Sequence, residues 1–169
     1  MEESTAQLKL SLVGKLCTIK PYNSEALKRT LQSIWKLKEG VAIRFVDTNL
    51  FVLQFFCEGD KDRVIEESPW FFDDKILLMK QLQGDEHPSK IVFTHTPMWV
   101  RLLDMSFNKR NAATMYDVGE LLGGFVKLDE DDPLGLSEFV RMKILVDIRK
   151  PLRRGLMLAT SLPLQSGLT

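Results

Sequence analysis

The chain has 169 residues, 44% hydrophobic and 27% charged, with 23 basic and 23 acidic side chains and a formal net charge of zero. Such a composition is that of an ordinary globular chain, with enough apolar residues for one sizeable core or two small units. It argues against strong independent binding to DNA or RNA, which draws most of its affinity from a basic excess, and no apolar run approaches the roughly 20 residues of a membrane span.

Met1–Gln7 is acidic and polar, unlike a signal peptide, so the protein is expected in the nucleus or cytoplasm and not secreted. Residues 1–12 read as a flexible N-terminus. Residues 13–82 read as a first half, beginning with a strand over Val13–Ile19. Ser24 is a plausible N-cap, and Leu27, Leu31, Ile34 and Trp35 recur at helical spacing until Gly40. Val41, Ile43 and Phe45 alternate with less apolar neighbours, the period of a half-buried strand. Asp47-Thr48-Asn49 is turn chemistry, and Leu50–Phe56 completes a hairpin. Asp60 can cap a short helix carrying Val64 and Ile65 and ended by Pro69, after which Lys75–Leu82 is again strand-like. Cys17 and Cys57 both lie in apolar strand-like stretches and are expected as buried thiols.

The order β-α-β-β-α-β is the ferredoxin-like arrangement, also that of RNA-recognition motifs. Residues 83–96 form a polar connector with Gly84 and Pro88, and residues 97–150 form a second half. Within it Met98–Leu103 is strand-like, and Lys109–Leu122 fits a helix with Ala112, Met115, Val118 and Leu122 inward. Phe125–Leu128 is a strand, Glu130–Gly135 an acidic turn, and Phe139–Ile148 a long strand. The expectation is an α+β protein whose βαββ second half packs against the first, because one small half buries little surface alone. Residues 151–169 read as a basic, then irregular, C-terminal tail.

Several stretches together carry a family resemblance: Val13-Gly14-Lys15-Leu16, Phe51-Val52-Leu53-Gln54-Phe55, Pro69-Trp70-Phe71-Phe72-Asp73 and Leu77-Leu78-Met79-Lys80. Pro97-Met98-Trp99-Val100-Arg101-Leu102, Gly123–Asp129, Phe139-Val140-Arg141-Met142-Lys143 and Lys150–Gly155 follow in order. The chain resembles, over about Leu10 to Leu158, the plant domain of unknown function of gag-like proteins of LINE-type retrotransposons. In that family the domain usually precedes a CCHC zinc knuckle. Two departures stand out. Asp104-Met105-Ser106 replaces the Gly-Leu-Pro that often follows the Trp-Val strand. A knuckle needs three cysteines and a histidine at close spacing, whereas Cys17, Cys57, His87 and His95 are scattered, so neither a metal nor another cofactor is expected.

The resemblance implies association with RNA or single-stranded DNA, and the residues locate where it would occur. At the positions where RNA-recognition motifs stack bases, the first half offers Leu50 and Val52, which have no flat π-face. In the second half Trp99 and Arg101 share one strand face, as do Phe139, Arg141 and Lys143, a mixture suited to stacking plus phosphate contact. The alternative reading of that face is an amphipathic sheet whose long basic side chains shield apolar surface. Arg149, Lys150, Arg153 and Arg154 form the one dense basic cluster, suited to tracking phosphates or to localisation. Pro69–Phe72 reads as core in preference to an exposed plug. No nucleophile–base pair, calcium loop or phosphate-cradling glycine loop is present, so no enzyme activity or small-molecule substrate is expected. Two functions remain: weak, sequence-tolerant single-strand binding, or a protein-interaction or self-association module working through a sheet edge or apolar patch.

Overall fold

A computed structural model describes residues 2–132 and 135–151. The protein is α+β, and it divides into two compact units, Met1–Phe93 and Thr94–Thr169.

The first unit begins with a helix where the sequence reading places a flexible segment: α1 spans Glu2–Lys9. Ala6 and Leu8 are its only apolar residues, so no apolar stripe announces it. Its end is tied down by the Leu10 amide, which donates to Ala6 at 3.2 Å, and by the Gln81 side-chain amide, which donates to the Leu8 carbonyl at 3.0 Å. Strand β1 (Ser11–Leu16) follows, then α2 (Ser24–Trp35), β2 (Val41–Asp47), β3 (Leu50–Phe55), α3 (Glu58–Glu66), β4 (Phe71–Phe72) and β5 (Lys75–Gln81). The strands form one antiparallel sheet in the order β2-β3-β1-β5-β4. The β-α-β-β-α-β succession expected from the sequence is therefore present, with α1 and the two-residue β4 added to it.

Leu27, Leu31 and Trp35 recur every fourth residue along α2 and so face one way, onto Leu12, Phe51, Leu53, Phe55 and Leu77 of the sheet. The same core takes Val64 of α3. Asn23, not Ser24, caps α2, accepting from the Ala26 amide at 3.0 Å. The helix ends at Lys36, which is left-handed (φ 47°), four residues before Gly40, and Ile34 is exposed. Trp70 packs edge-on to Trp35, ring centroids 6.0 Å apart, and donates its indole N–H to Val64 at 2.8 Å. Phe72 also lies against this core, while Phe71 is exposed. Asp73 and Asp74, both at positive φ, make the two-residue hairpin turn into β5.

Asp60 does not cap α3. The cap is Cys57, whose sulfur accepts from the Asp60 amide at 3.4 Å. This leaves the Asp60 carboxylate turned inward, where it accepts from the backbone N–H groups of Lys38 (3.1 Å), Glu39 (2.8 Å) and Gly40 (3.3 Å). One buried anion thus holds the whole α2–β2 loop. Burial raises its pKa, but those three amides and the Cys57 contact outweigh burial and set it below the ordinary aspartate value. A depressed folded-state pKa stabilises the fold above the unfolded-state pKa, and the benefit is lost as pH falls through the folded value. Asp60→Asn is accordingly expected to lower the Tm by roughly 5–10 °C at pH 7. The gap between variant and wild type closes on acidification, which thermal melts followed by circular dichroism at pH 7 and pH 3 would measure. A gap that persists unchanged at pH 3 would contradict the assignment.

Cys17 is exposed and Cys57 half-buried, so neither is the fully buried thiol expected from its apolar neighbours. Cys17 lies just past β1, where the alternation that buries Leu16 no longer constrains it.

The second unit contains β6 (His95–Leu102), α4 (Ala112–Leu122), β7 (Phe125–Leu128) and β8 (Val140–Asp147) in a three-stranded antiparallel sheet ordered β6-β8-β7. Helix α4 is capped by Asn111, which accepts from Thr114 at 2.9 Å. Met115 and Val118 of α4 pack on Val140, Met142, Ile144 and Val146 of β8, together with Met105. Ala112, assigned inward from the sequence, is exposed at the helix start. Among the described residues no helix is long and apolar enough to cross a membrane.

Candidate nucleic-acid interface

Because side chains alternate along a strand, burying Val140, Met142 and Ile144 against α4 sends Phe139, Arg141 and Lys143 to the opposite face. The β6–β8 register sets Trp99 across from Lys143 and Arg101 across from Arg141. Those five residues, which period alone places in two separate groups, are brought together on one outer face by this pairing. Lys127 of β7 joins them, paired directly with Lys143.

Two like-charged pairs, Arg101/Arg141 and Lys127/Lys143, therefore sit directly opposite one another on adjacent strands, an arrangement that destabilises a sheet unless something absorbs the charge. Aromatic rings absorb part of it. Arg141 crosses to Trp99, its guanidinium carbon 4.4 Å from the ring centroid, and Arg101 crosses the other way to Phe139 at 4.7 Å. The ammonium groups of Lys143 and Lys127 lie 5.2 and 5.9 Å from the Trp99 centroid. Each such contact contributes about 0.5–1 kcal/mol at an exposed site. Carboxylates absorb more: Asp129 lies 3.4 Å from Arg141 and Glu130 3.6 Å from Lys127. Arg101 and Arg141 are exposed, Trp99, Phe139 and Lys127 half-buried, and Lys143 buried, so Lys143 supplies charge from beneath.

The loop before Phe139 is fixed from two sides. Arg110 donates to the carbonyls of Met105 (2.9 Å), Gly135 (2.6 Å) and Ser137, with its guanidinium 4.6 Å from the Phe107 ring centroid. Asp132 accepts from the Leu136 and Ser137 amides at 3.1 and 3.2 Å. The Ser137 hydroxyl and these amides hold the Asp132 carboxyl below the usual range. Phe139 is thereby presented on a braced loop.

The basic cluster behaves differently. Arg149 is forked onto Asp147, with Nε and Nη2 each 2.9 Å from a carboxylate oxygen, and its own backbone amide adds a third bond. Those bonds hold the Asp147 carboxyl far below the usual range. Arg149 is thus charge-matched within its own turn, and Lys150 is exposed beside it. Arg153 and Arg154 lie outside the described residues.

On the first sheet, the face turned away from the helices carries Val13 and Lys15 on β1 and Val52 and Gln54 on β3, none of them aromatic. Val13 is fully buried, and Lys80 on the same face is held by Glu86 at 3.0 Å, with Phe93 5.9 Å away. It is not an open stacking platform.

Lys127 and its acidic partner Glu130 escaped the sequence reading for a definable reason. Strict alternation would place Lys127 on the face of Phe125, toward α4. A register shift between Phe125 and Lys127 reverses the side. The clue available in sequence was Lys127-Leu128-Asp129-Glu130, a cation three residues before an acid.

The folded chain is thus a pair of small α+β units, the second carrying an aromatic and cationic sheet face. By sequence it belongs to the family described as domain of unknown function DUF4283, which matches residues 4–90, the first unit without its first three and last three residues. No curated protein and no solved structure matches the chain.

Proposed function

We infer that the protein is a non-enzymatic, gag-like binding domain of retrotransposon origin that associates weakly, and with little sequence preference, with single-stranded nucleic acid through the outer face of its second sheet. The observation that carries this reading is the placement of two directly opposed cation pairs around Trp99. A sheet that gathers like charges about a flat ring gains from an anionic ligand that also stacks, and a single strand supplies both groups. Asp129 and Glu130 already neutralise part of the face, which fits weak affinity and a net charge of zero. On this face Arg101, Lys127 and Arg141 are the cations that reach solvent; Arg149, beyond it, is occupied by Asp147.

Fluorescence anisotropy with labelled single-stranded RNA across a salt series tests this. Each phosphate neutralised on a single strand contributes about −0.7 to the slope of log affinity against log salt. Up to three cations, two of them partly satisfied by carboxylates, give an expected slope of about −1 to −2. No binding at low salt, or a slope near zero, would remove this reading in favour of a protein-interaction module, and tight binding that prefers duplex would contradict the single-strand preference.

A further inference from the structure

The arrangement of Trp99, Arg101, Arg141 and Phe139 has an internal symmetry that specifies more than general attraction. Arg101 and Arg141 face each other across β6 and β8. Trp99 lies two residues from Arg101 toward one end of the sheet, and Phe139 two residues from Arg141 toward the other. Each guanidinium leans diagonally across the strand gap onto the ring at its own end, Arg141 over Trp99 and Arg101 over Phe139. The two cations therefore diverge, and each is paired with one aromatic ring. Both ring–guanidinium pairs are flat groups of the kind on which bases stack.

The offset between the rings follows from strand geometry. Four residue positions along the strand plus one strand spacing across separate Trp99 from Phe139 by about 14 Å at the backbone. That is about twice the repeat of an extended single strand, so bases on the two rings are next-but-one neighbours. Two phosphates then lie between them, one beside each guanidinium.

Resting on the single-strand reading above, we propose that this face is a three-nucleotide site. It stacks the first base at Trp99 and the third at Phe139, contacts the two intervening phosphates with Arg141 and Arg101, and leaves the middle base unread. Sequence tolerance follows, because only ring faces and phosphates are touched. Spacing becomes the recognised property.

The test uses DNA oligonucleotides that are abasic except for two thymines, placed adjacent, one abasic residue apart, or three apart, with an all-thymine strand for comparison. Binding to the full chain is read by anisotropy at low salt. The expected result is at least fivefold tighter binding for the one-residue gap than for either other spacing. Phe139→Ala is expected to weaken binding of the one-residue-gap strand and to abolish the spacing preference, so that the three two-thymine strands bind with equal affinity. Equal affinity at all three spacings, or a preference that survives Phe139→Ala, would overturn the three-nucleotide site even if the all-thymine strand binds. Failure of the all-thymine strand itself would overturn the single-strand reading.

Discussion

Gly123→Ala is expected to destabilise the second unit by about 2–5 kcal/mol, lowering its Tm by about 10 °C or more. Gly123 ends α4 at φ +146°, a conformation that side-chain-bearing residues rarely adopt. A methyl group there would also overlap the backbone carbonyl oxygen of Leu145, which cannot rotate aside because β8 is the central strand of its sheet. The approach is needed: the Leu145 amide donates to Gly124 at 2.8 Å, and the Gly124 amide donates back to Gly119 at 2.9 Å, clasping the helix end to the strand. Gly59→Ala is the control, since a methyl group at Gly59 meets nothing within 4 Å and lies in the first turn of α3. Its Tm is expected to hold or rise slightly. Thermal unfolding of both variants separates the cases, and a Gly123→Ala Tm within 2 °C of wild type would contradict the steric argument.

Where side-chain period was strong, the architecture was legible. Leu27, Leu31 and Trp35 announce α2, and the alternation on either side of Asp47-Thr48-Asn49 announces the hairpin. Boundaries failed where two residues compete for one role. Asn23 and Ser24 can both cap, and Cys57 takes the capping position that frees Asp60 for the loop. Helix α1 has no apolar stripe, and β4 is two residues long, too short for any period to show. For the candidate site, alternation alone groups Trp99 with Arg101 and Phe139 with Arg141 and Lys143. It cannot say that β6 pairs with β8, a contact between distant stretches, nor that Arg101 then falls opposite Arg141. The bulge that brings Lys127 to this face and the fork that ties Arg149 to Asp147 depend on backbone geometry with no composition signature.

Replacing Trp99 and Phe139 together by alanine is expected to weaken binding of single-stranded RNA by about 30-fold or more, since base–aromatic stacking contributes about 1–3 kcal/mol per base. Trp99 has the larger share, because Arg141, Lys143 and Lys127 all lie around its ring. Its loss also releases Arg141 from the position in which it would meet a phosphate. Trp99→Phe keeps a flat ring and is expected to retain most of the affinity, which separates stacking from a general disturbance of the sheet. Far-UV circular dichroism spectra like those of wild type, with a cooperative melt above the titration temperature, confirm that the variants are folded, although loss of the ring contacts lowers the Tm of the double variant.

Anisotropy of a labelled single-stranded RNA, titrated at low salt with wild type, Trp99→Phe and the Trp99→Ala/Phe139→Ala double variant, measures the central claim directly. The account predicts micromolar binding by wild type, near-equal binding by Trp99→Phe, and a loss of 30-fold or more in the double variant. Equal affinity for all three proteins, or no binding by wild type, would contradict it.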